Sequence, residues 1–257
     1  MGVSNRRPLL GERLRPAALP ITACVFVVAS SAVLNKRGPG VALPPEPPLY
    51  QRDPGATLLT SEQRRSCSSA ILIATGSDPI YRLTSAAEGV RFDIDADGTA
   101  EQVPSTPRNS SVAFLAIDQN EDGRITSGKE LFGRHTWPGA SNGVAALTRM
   151  TLDTNGGVKR GSVSEDDPLF ARLLLWTDTN HNGISERAEL QAAGRLFSDL
   201  SLGYKLEYGR DLFGNAFVFE GWAHVRTAPG RNHAASWEES TQRRRRFYAV
   251  CFAQSIS

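Results

Sequence analysis

Oxygen-bearing side chains recur at alternate positions in three short stretches of this 257-residue chain. Asp93, Asp95 and Asp97 precede Gly98; Asp118, Asn120 and Asp122 precede Gly123; Asp178, Asn180 and Asn182 precede Gly183. In a tightly wound loop, alternate residues direct carboxylates or amide oxygens to one centre, and calcium takes about six to eight such oxygens. Glycine at the sixth position permits the sharp turn that a side chain obstructs. Carboxylates gathered this closely repel one another unless a cation neutralises them. The pattern therefore predicts metal coordination by Ca2+ rather than catalysis. The same residues also favour plain Asx turns, which is the bland alternative.

The third loop, DTNHNGISERAE, fits best. Asp178, Asn180 and Asn182 fill positions one, three and five, the Ile184 carbonyl position seven, and Glu186 a water-mediated ninth position. Glu189, at the twelfth, is expected to close the site from the first turn of a following helix, where a carboxylate also suits the helix dipole. The second loop matches through Arg124, whose carbonyl would be a ligand, and Thr126, but Lys129 stands at position twelve and Glu130 at thirteen. Either one extra residue is accommodated so that Glu130 reaches the ion, or the site is weak. Ile125, at the eighth position, is expected to pack against the domain. The first loop has Pro104 at position twelve, so it reads as a calcium loop within a strand hairpin. Its oxygens would come from Asp93, Asp95, Asp97, the Thr99 carbonyl and Glu101. A fourth stretch, Asp153 to Gly157, starts the same way and loses its fifth acid, as a decayed copy would.

The blocks FDIDADGTAEQV, FLAIDQNEDGRITSGKELFG, LDTNGG and DDPLFARLLLWTDTNHNGISERAEL resemble bacterial exported proteins with EF-hand-like repeats. That group is related to calcium-binding regions of RTX and haemolysin-type proteins. The resemblance runs from about Asp78 to Asn215 and implies calcium binding through the loop residues just named. It implies no particular activity.

Elements that could position these loops are short. Gly89 to Asp93, Val112 to Ile117 and Leu173 to Trp176 are rich in aliphatic and aromatic residues, and each runs straight into an acidic loop, as strands would. Lys129 to Phe132, Gly143 to Met150 and Glu186 to Ala193 read as helices, the last stopped by Gly194. Leu200 to Tyr208 and Ala216 to Arg226 flank GRDLFGN as a hairpin would, and Phe247 to Phe252 adds a strand. The fold class expected is α+β: short strands and hairpins, short helices following EF-hand-like loops, and C-terminal antiparallel strands.

Outside this region, an arginine-bearing start is followed by an apolar stretch from Ala17 to Leu34 and then by Asn35, Lys36 and Arg37. This is the layout of an export signal, with an uncleaved membrane anchor as the alternative and a lipid anchor at Cys24 as a third. Residues 35–57, rich in proline, read as a linker, and 58–257 as the calcium-binding domain. Formal net charge is +2, of which the first 34 residues carry +3, so the remainder lacks the field needed to steer nucleic acid. Once the signal is removed, Cys67 and Cys251 are the two remaining cysteines, and an oxidising compartment would favour joining them, with two unrelated buried thiols as the alternative. The histidines show no zinc spacing, and there is no GxSxG elbow or phosphate loop, so no catalytic residue is named.

The reading is thus an exported, non-enzymatic calcium-binding structural or interaction domain, periplasmic, at the cell surface or extracellular. The alternative is a calcium-dependent binding module for cell-wall carbohydrate or a partner protein. Nucleic acid is not an expected partner, and membrane contact is expected only through the N-terminal segment.

Overall fold

In a computed structural model of the chain, residues 51–52, 67–155, 161–226 and 244–253 are described. The signal or anchor, nearly all of the linker and the end of the Asp153 to Gly157 stretch lie outside them. Three apolar runs form the middle of the molecule: Ser69–Ala74, Val112–Ile117 and Leu173–Trp176. They read almost continuously apolar because both of their faces are covered, a condition that removes the usual strand alternation.

In chain order the strands are β1 (Gln51–Arg52), β2 (Ser69–Ala74), β3 (Val90–Phe92), β4 (Glu101–Val103), β5 (Val112–Ile117) and β6 (Ser162–Ser164). Then follow β7 (Leu173–Trp176), β8 (Leu190–Ala192), β9 (Phe197–Ser201), β10 (Lys205–Arg210), β11 (Ala216–Val225) and β12 (Arg244–Cys251). Ten of them make one antiparallel sheet in the order β1-β10-β11-β12-β2-β5-β7-β8, with β9 also on β11 and β6 on β9; β3 and β4 pair separately. The expected hairpin across GRDLFGN is present as β10 and β11.

Alternate residues of the central strands feed two cores. Ile71, Ile73, Leu115, Ile117, Leu173, Leu175 and Phe247 point to one side, against Val144, Leu147 and Met150 of helix α1 (Gly143–Asn155). Asn142 starts that helix by accepting the Ala145 amide on Oδ1 at 2.9 Å, an N-cap. Leu72, Phe114, Trp176, Tyr248 and Val250 point to the other side, where Val90, Phe92, Ile94, Val103, Ile125 and Leu131 cover them. That second cover is made of the acidic loops and the strands beside them.

The α+β expectation is therefore corrected: the molecule is mostly β, a curled antiparallel sheet with one α-helix among the described residues. Only the Gly143 helix forms as expected. Lys129 to Phe132 instead turns and pairs back on β5, with the Ile117 amide donating to the Glu130 carbonyl at 2.8 Å and the Phe132 amide to Leu115 at 3.2 Å. Glu186 to Ala193 becomes a 3-10 turn, Arg187–Glu189, followed by β8 on β7. Stretches this short do not offset the cost of helix nucleation, and each lies beside a strand with backbone groups that its other neighbours leave free: residues 115–117 of β5, which β2 does not reach, and the outer side of β7. A disulfide joins Cys67 to Cys251, Cα atoms 5.6 Å apart, and ties the start of β2 to the end of β12. Trp137 packs partly buried against the first core.

Candidate metal centres

All three loops fold by one backbone recipe, which begins at the first acid. In the first loop Asp93 Oδ1 accepts the Asp97 amide at 3.1 Å and Oδ2 the Gly98 amide at 3.1 Å. In the second, Asp118 accepts the amides of Asp122 and Gly123 at 3.2 and 2.8 Å. In the third, Asp178 accepts those of Asn182 and Gly183, both at 3.0 Å. The fifth residue then accepts the amide of the seventh: Thr99 on Asp97 at 2.7 Å, Arg124 on Asp122 at 2.8 Å, and Ile184 on Asn182 at 2.7 Å. These bonds wind alternate side chains inward.

The winding requires a left-handed residue at position four as well as at the sixth-position glycine. Ala96, Glu121 and His181 take φ of 63°, 60° and 57°, and Gly98, Gly123 and Gly183 take 96°, 78° and 72°. A residue with a side chain in this region costs about 1 to 2 kcal/mol, so three equivalent cases mark a geometry that the surroundings enforce. Sequence inspection missed position four because alanine, glutamate and histidine share no property there.

Carboxylates converge in the first two loops. One oxygen each from Asp93, Asp95, Asp97 and Glu101 lie within 4.8 Å of one another, and so do oxygens of Asp118, Asp122 and Glu130. Glu130 thus reaches its cluster from the thirteenth position. The extra residue is absorbed by a turn in which the Glu130 amide donates to the Ser127 carbonyl at 3.0 Å, leaving Lys129 exposed. Glu130 is 3% exposed; its Oε2 takes the Thr126 amide at 2.8 Å and hydroxyl at 3.0 Å, while its buried Oε1 has no partner. Asn120 donates through its side-chain amide to Asp122 at 2.9 Å and so lies within the same loop.

The third loop divides the work between two glutamates. Glu186 Oε1 accepts the side-chain amides of Asn180 at 3.2 Å and Asn182 at 2.7 Å, and its Oε2 is buried without a partner. Glu189 is held by other groups, its Oε1 accepting the Thr179 and Asn180 amides at 2.7 and 3.3 Å and its Oε2 the Trp176 indole at 3.4 Å. The hydrogen bond from Asn182, helped by Glu189, holds the Glu186 carboxyl down at about 2. Burial, and then the neighbouring Glu186, pushes Glu189 above the ordinary range. In the first loop burial also raises Glu101, and Asp95 and Asp93 add to the shift. The Glu186 and Glu189 carboxyls, which interact with each other, are thus perturbed in opposite directions.

The loops also touch one another. The Gly128 amide donates to the Asp93 carbonyl at 2.7 Å, and a Cβ at Gly128 would lie 1.9 Å from the Ile94 carbonyl oxygen. Ser185 Oγ accepts the Ile125 amide at 2.6 Å and donates to the Ile125 carbonyl at 3.1 Å. The His181 ring nitrogens each lie 2.8 Å from a carbonyl oxygen, Nδ1 from Thr106 and Nε2 from Glu88, which fastens the third loop to the chain on both sides of the β3–β4 hairpin. The one available sign of these contacts in the sequence was Ser185, a polar residue at an eighth position.

Residues 76–196 match the family model described as the SPM domain, a span that encloses all three loops. Over 97 residues the chain is 38% identical to the iron-regulated protein FrpA of Neisseria meningitidis serogroup C. That alignment covers 36% of this chain and 8% of FrpA, so the chain spans a small part of that relative's length.

Proposed function

We propose that this chain is an exported calcium-binding domain with a structural or interaction role, in which up to three Ca2+ ions fix the acidic loops against the sheet. The observation that carries the reading is Glu130. A carboxylate oxygen buried without a partner costs several kcal/mol unless a cation or hydrogen-bond donor reaches it, and the carboxylate that carries this one belongs to a cluster with Asp118 and Asp122. Aspartate, glutamate and amide oxygens make a hard donor set, suited to calcium rather than to zinc or copper. Asp93, Asp95, Asp97 and Glu101 would hold the first ion with the Thr99 carbonyl, and Asp118, Asn120, Asp122 and Glu130 the second with the Arg124 carbonyl. Asp178, Asn180, Asn182 and the Ile184 carbonyl would hold the third, with Glu186 fixed by the side-chain amides of Asn180 and Asn182 and Glu189 by the backbone amides of Thr179 and Asn180.

The ions would act on the fold, because the loops carry Ile94, Ile125 and Leu131 into the second core. Export places the chain where calcium is plentiful, and no step of catalysis is assigned to it. At one hundred times its dissociation constant, a single calcium ion stabilises the folded state by about 2.7 kcal/mol. That is worth roughly 5 to 10 °C in a domain of this size. Thermal melts in calcium and in chelator should differ by at least this much, and equal midpoints would remove the reading. Calorimetric stoichiometry should fall by one with Asp118→Ala and by one with Asp178→Ala.

A further inference from the structure

A cavity of about 540 Å³ opens between the segment that leads into α1 and the strands β11 and β12. Phe219 and Ala249, which line it, belong with the first core, whereas the acidic loops cover the second. Its volume lies within the range of about 300 to 1,000 Å³ that small-molecule sites occupy. One part of the lining is apolar: Tyr204, Val218, Phe219 and Ala249, with the Tyr204 and Phe219 rings edge to face at 4.8 Å between centroids. Tyr204 is 53% exposed, so its ring is open to a ligand. Leu206, opposite Phe219 in the register of β10 and β11, is 48% exposed and extends the same apolar surface.

The polar part of the lining carries one sign of charge. It holds Arg134, Ser69, Ser141 and Asn142, and no carboxylate. Arg134 is half-buried and forms no ion pair or hydrogen bond among the described residues. Ser69 is 8% exposed, and its hydroxyl likewise has no hydrogen-bond partner among them. The two groups are neighbours, since a Cβ on Gly133, the residue before Arg134, would stand 3.5 Å from Ser69 Oγ. A second cation stands close by: Arg149 Nη1 donates to the Pro138 carbonyl at 3.3 Å, one residue from Gly139 in the lining. A buried hydroxyl without a partner costs about 1 to 3 kcal/mol, and a guanidinium pairs best with a planar or multi-oxygen anion. What the cavity lacks is an anionic acceptor.

From this lining we infer that the cavity is a binding site for a small apolar molecule ending in a single anionic group. Its body lies along Tyr204 and Phe219 and its anion meets Arg134 and the Ser69 hydroxyl. The site shares no residue with the acidic loops and does not depend on what they hold.

Calorimetric titration of the full chain, in calcium-containing buffer, with octanesulfonate, octanol and octylammonium tests this, because the three share a tail and differ in the head. Octanesulfonate should bind at one site, more tightly than octylammonium by about ten-fold or more, with octanol between them. Arg134→Gln should weaken octanesulfonate about ten-fold, the order of one hydrogen bond to a charged group, and change octanol little. A variant that merely loosened the wall would weaken both alike. Tyr204→Ser should weaken octanesulfonate and octanol together, and calcium stoichiometry should be the same in both variants as in the wild type. Naphthalene-2-sulfonate separates the two sources of such a ligand: tighter binding than octanesulfonate assigns an aromatic acid, weaker binding a lipid-derived one. Equal affinity for octanesulfonate and octylammonium overturns the proposal, as does an octanesulfonate affinity that Arg134→Gln leaves unmoved, or no binding of either sulfonate at millimolar concentration. If Arg134→Gln does not fold, the order of the three head groups on the wild-type chain, with Tyr204→Ser, decides the question.

Discussion

In the second loop the Glu130 carboxylate holds Thr126 with one oxygen and has nothing on the other, although both are buried. Its two states should respond in opposite directions to Glu130→Gln. In chelator, removing the buried charge relieves a desolvation cost while an amide oxygen can still accept from Thr126, so stability should rise by about 1 kcal/mol. In calcium, the loss of a charged oxygen should weaken the second site by ten-fold or more, the order of one charge-assisted contact. Urea denaturation with and without calcium measures both. If the variant loses stability in chelator as well, Glu130 serves packing alone. This residue was half legible in the sequence: the spacing put an acid one place too far along. Only the turn from Ser127 to Glu130 shows how the extra residue is absorbed.

At the scale of elements, the strands were legible where their residues are bulky and apolar on both faces, as in β5 and β7, because no other element of that length hides so much side chain. The helices expected after the second and third loops were not, since ELF and RAEL satisfy helical propensity equally well. What decides them is a stretch of strand backbone left free by its other neighbours, which the sequence does not display. The close approach of the third loop to the β3–β4 hairpin was equally hidden, and two glycines with similar roles expose it. Gly98 has φ of 96° and nothing within 4 Å of an added Cβ, while Gly183 has φ of 72° and would place one against Arg91 and Val90. Gly98→Ala should therefore cost about 1 to 2 kcal/mol, the backbone term alone. Gly183→Ala should cost more, by about 1 to 3 kcal/mol, because overpacking is added to the same backbone term. Equal losses in chemical denaturation would show that the third loop does not bear on the hairpin.

Two devices hold the whole molecule, and they act on different states of the chain. Calcium would act on the folded form, through loops that cover the second core. The Cys67–Cys251 disulfide acts mainly on the unfolded chain, by closing a loop of 184 residues in sequence separation. The chain-entropy model gives such a closure about 5 kcal/mol, reduced by any structure that the unfolded chain retains. Because one term depends on ligand binding to the native state and the other on the freedom of the denatured state, their contributions should add. Cys67→Ala with Cys251→Ala should lower stability by nearly the same amount in calcium and in chelator, as read from denaturation midpoints, while leaving calcium stoichiometry unchanged. The geometry gives one reason to expect a small departure: Phe252, beside the disulfide, packs in the same core as Ile94 of the first loop. A loss of bound calcium in the cysteine variant would mean that the bridge shapes the first site directly, and that the sheet and the loops form one cooperative body rather than two stabilised in parallel.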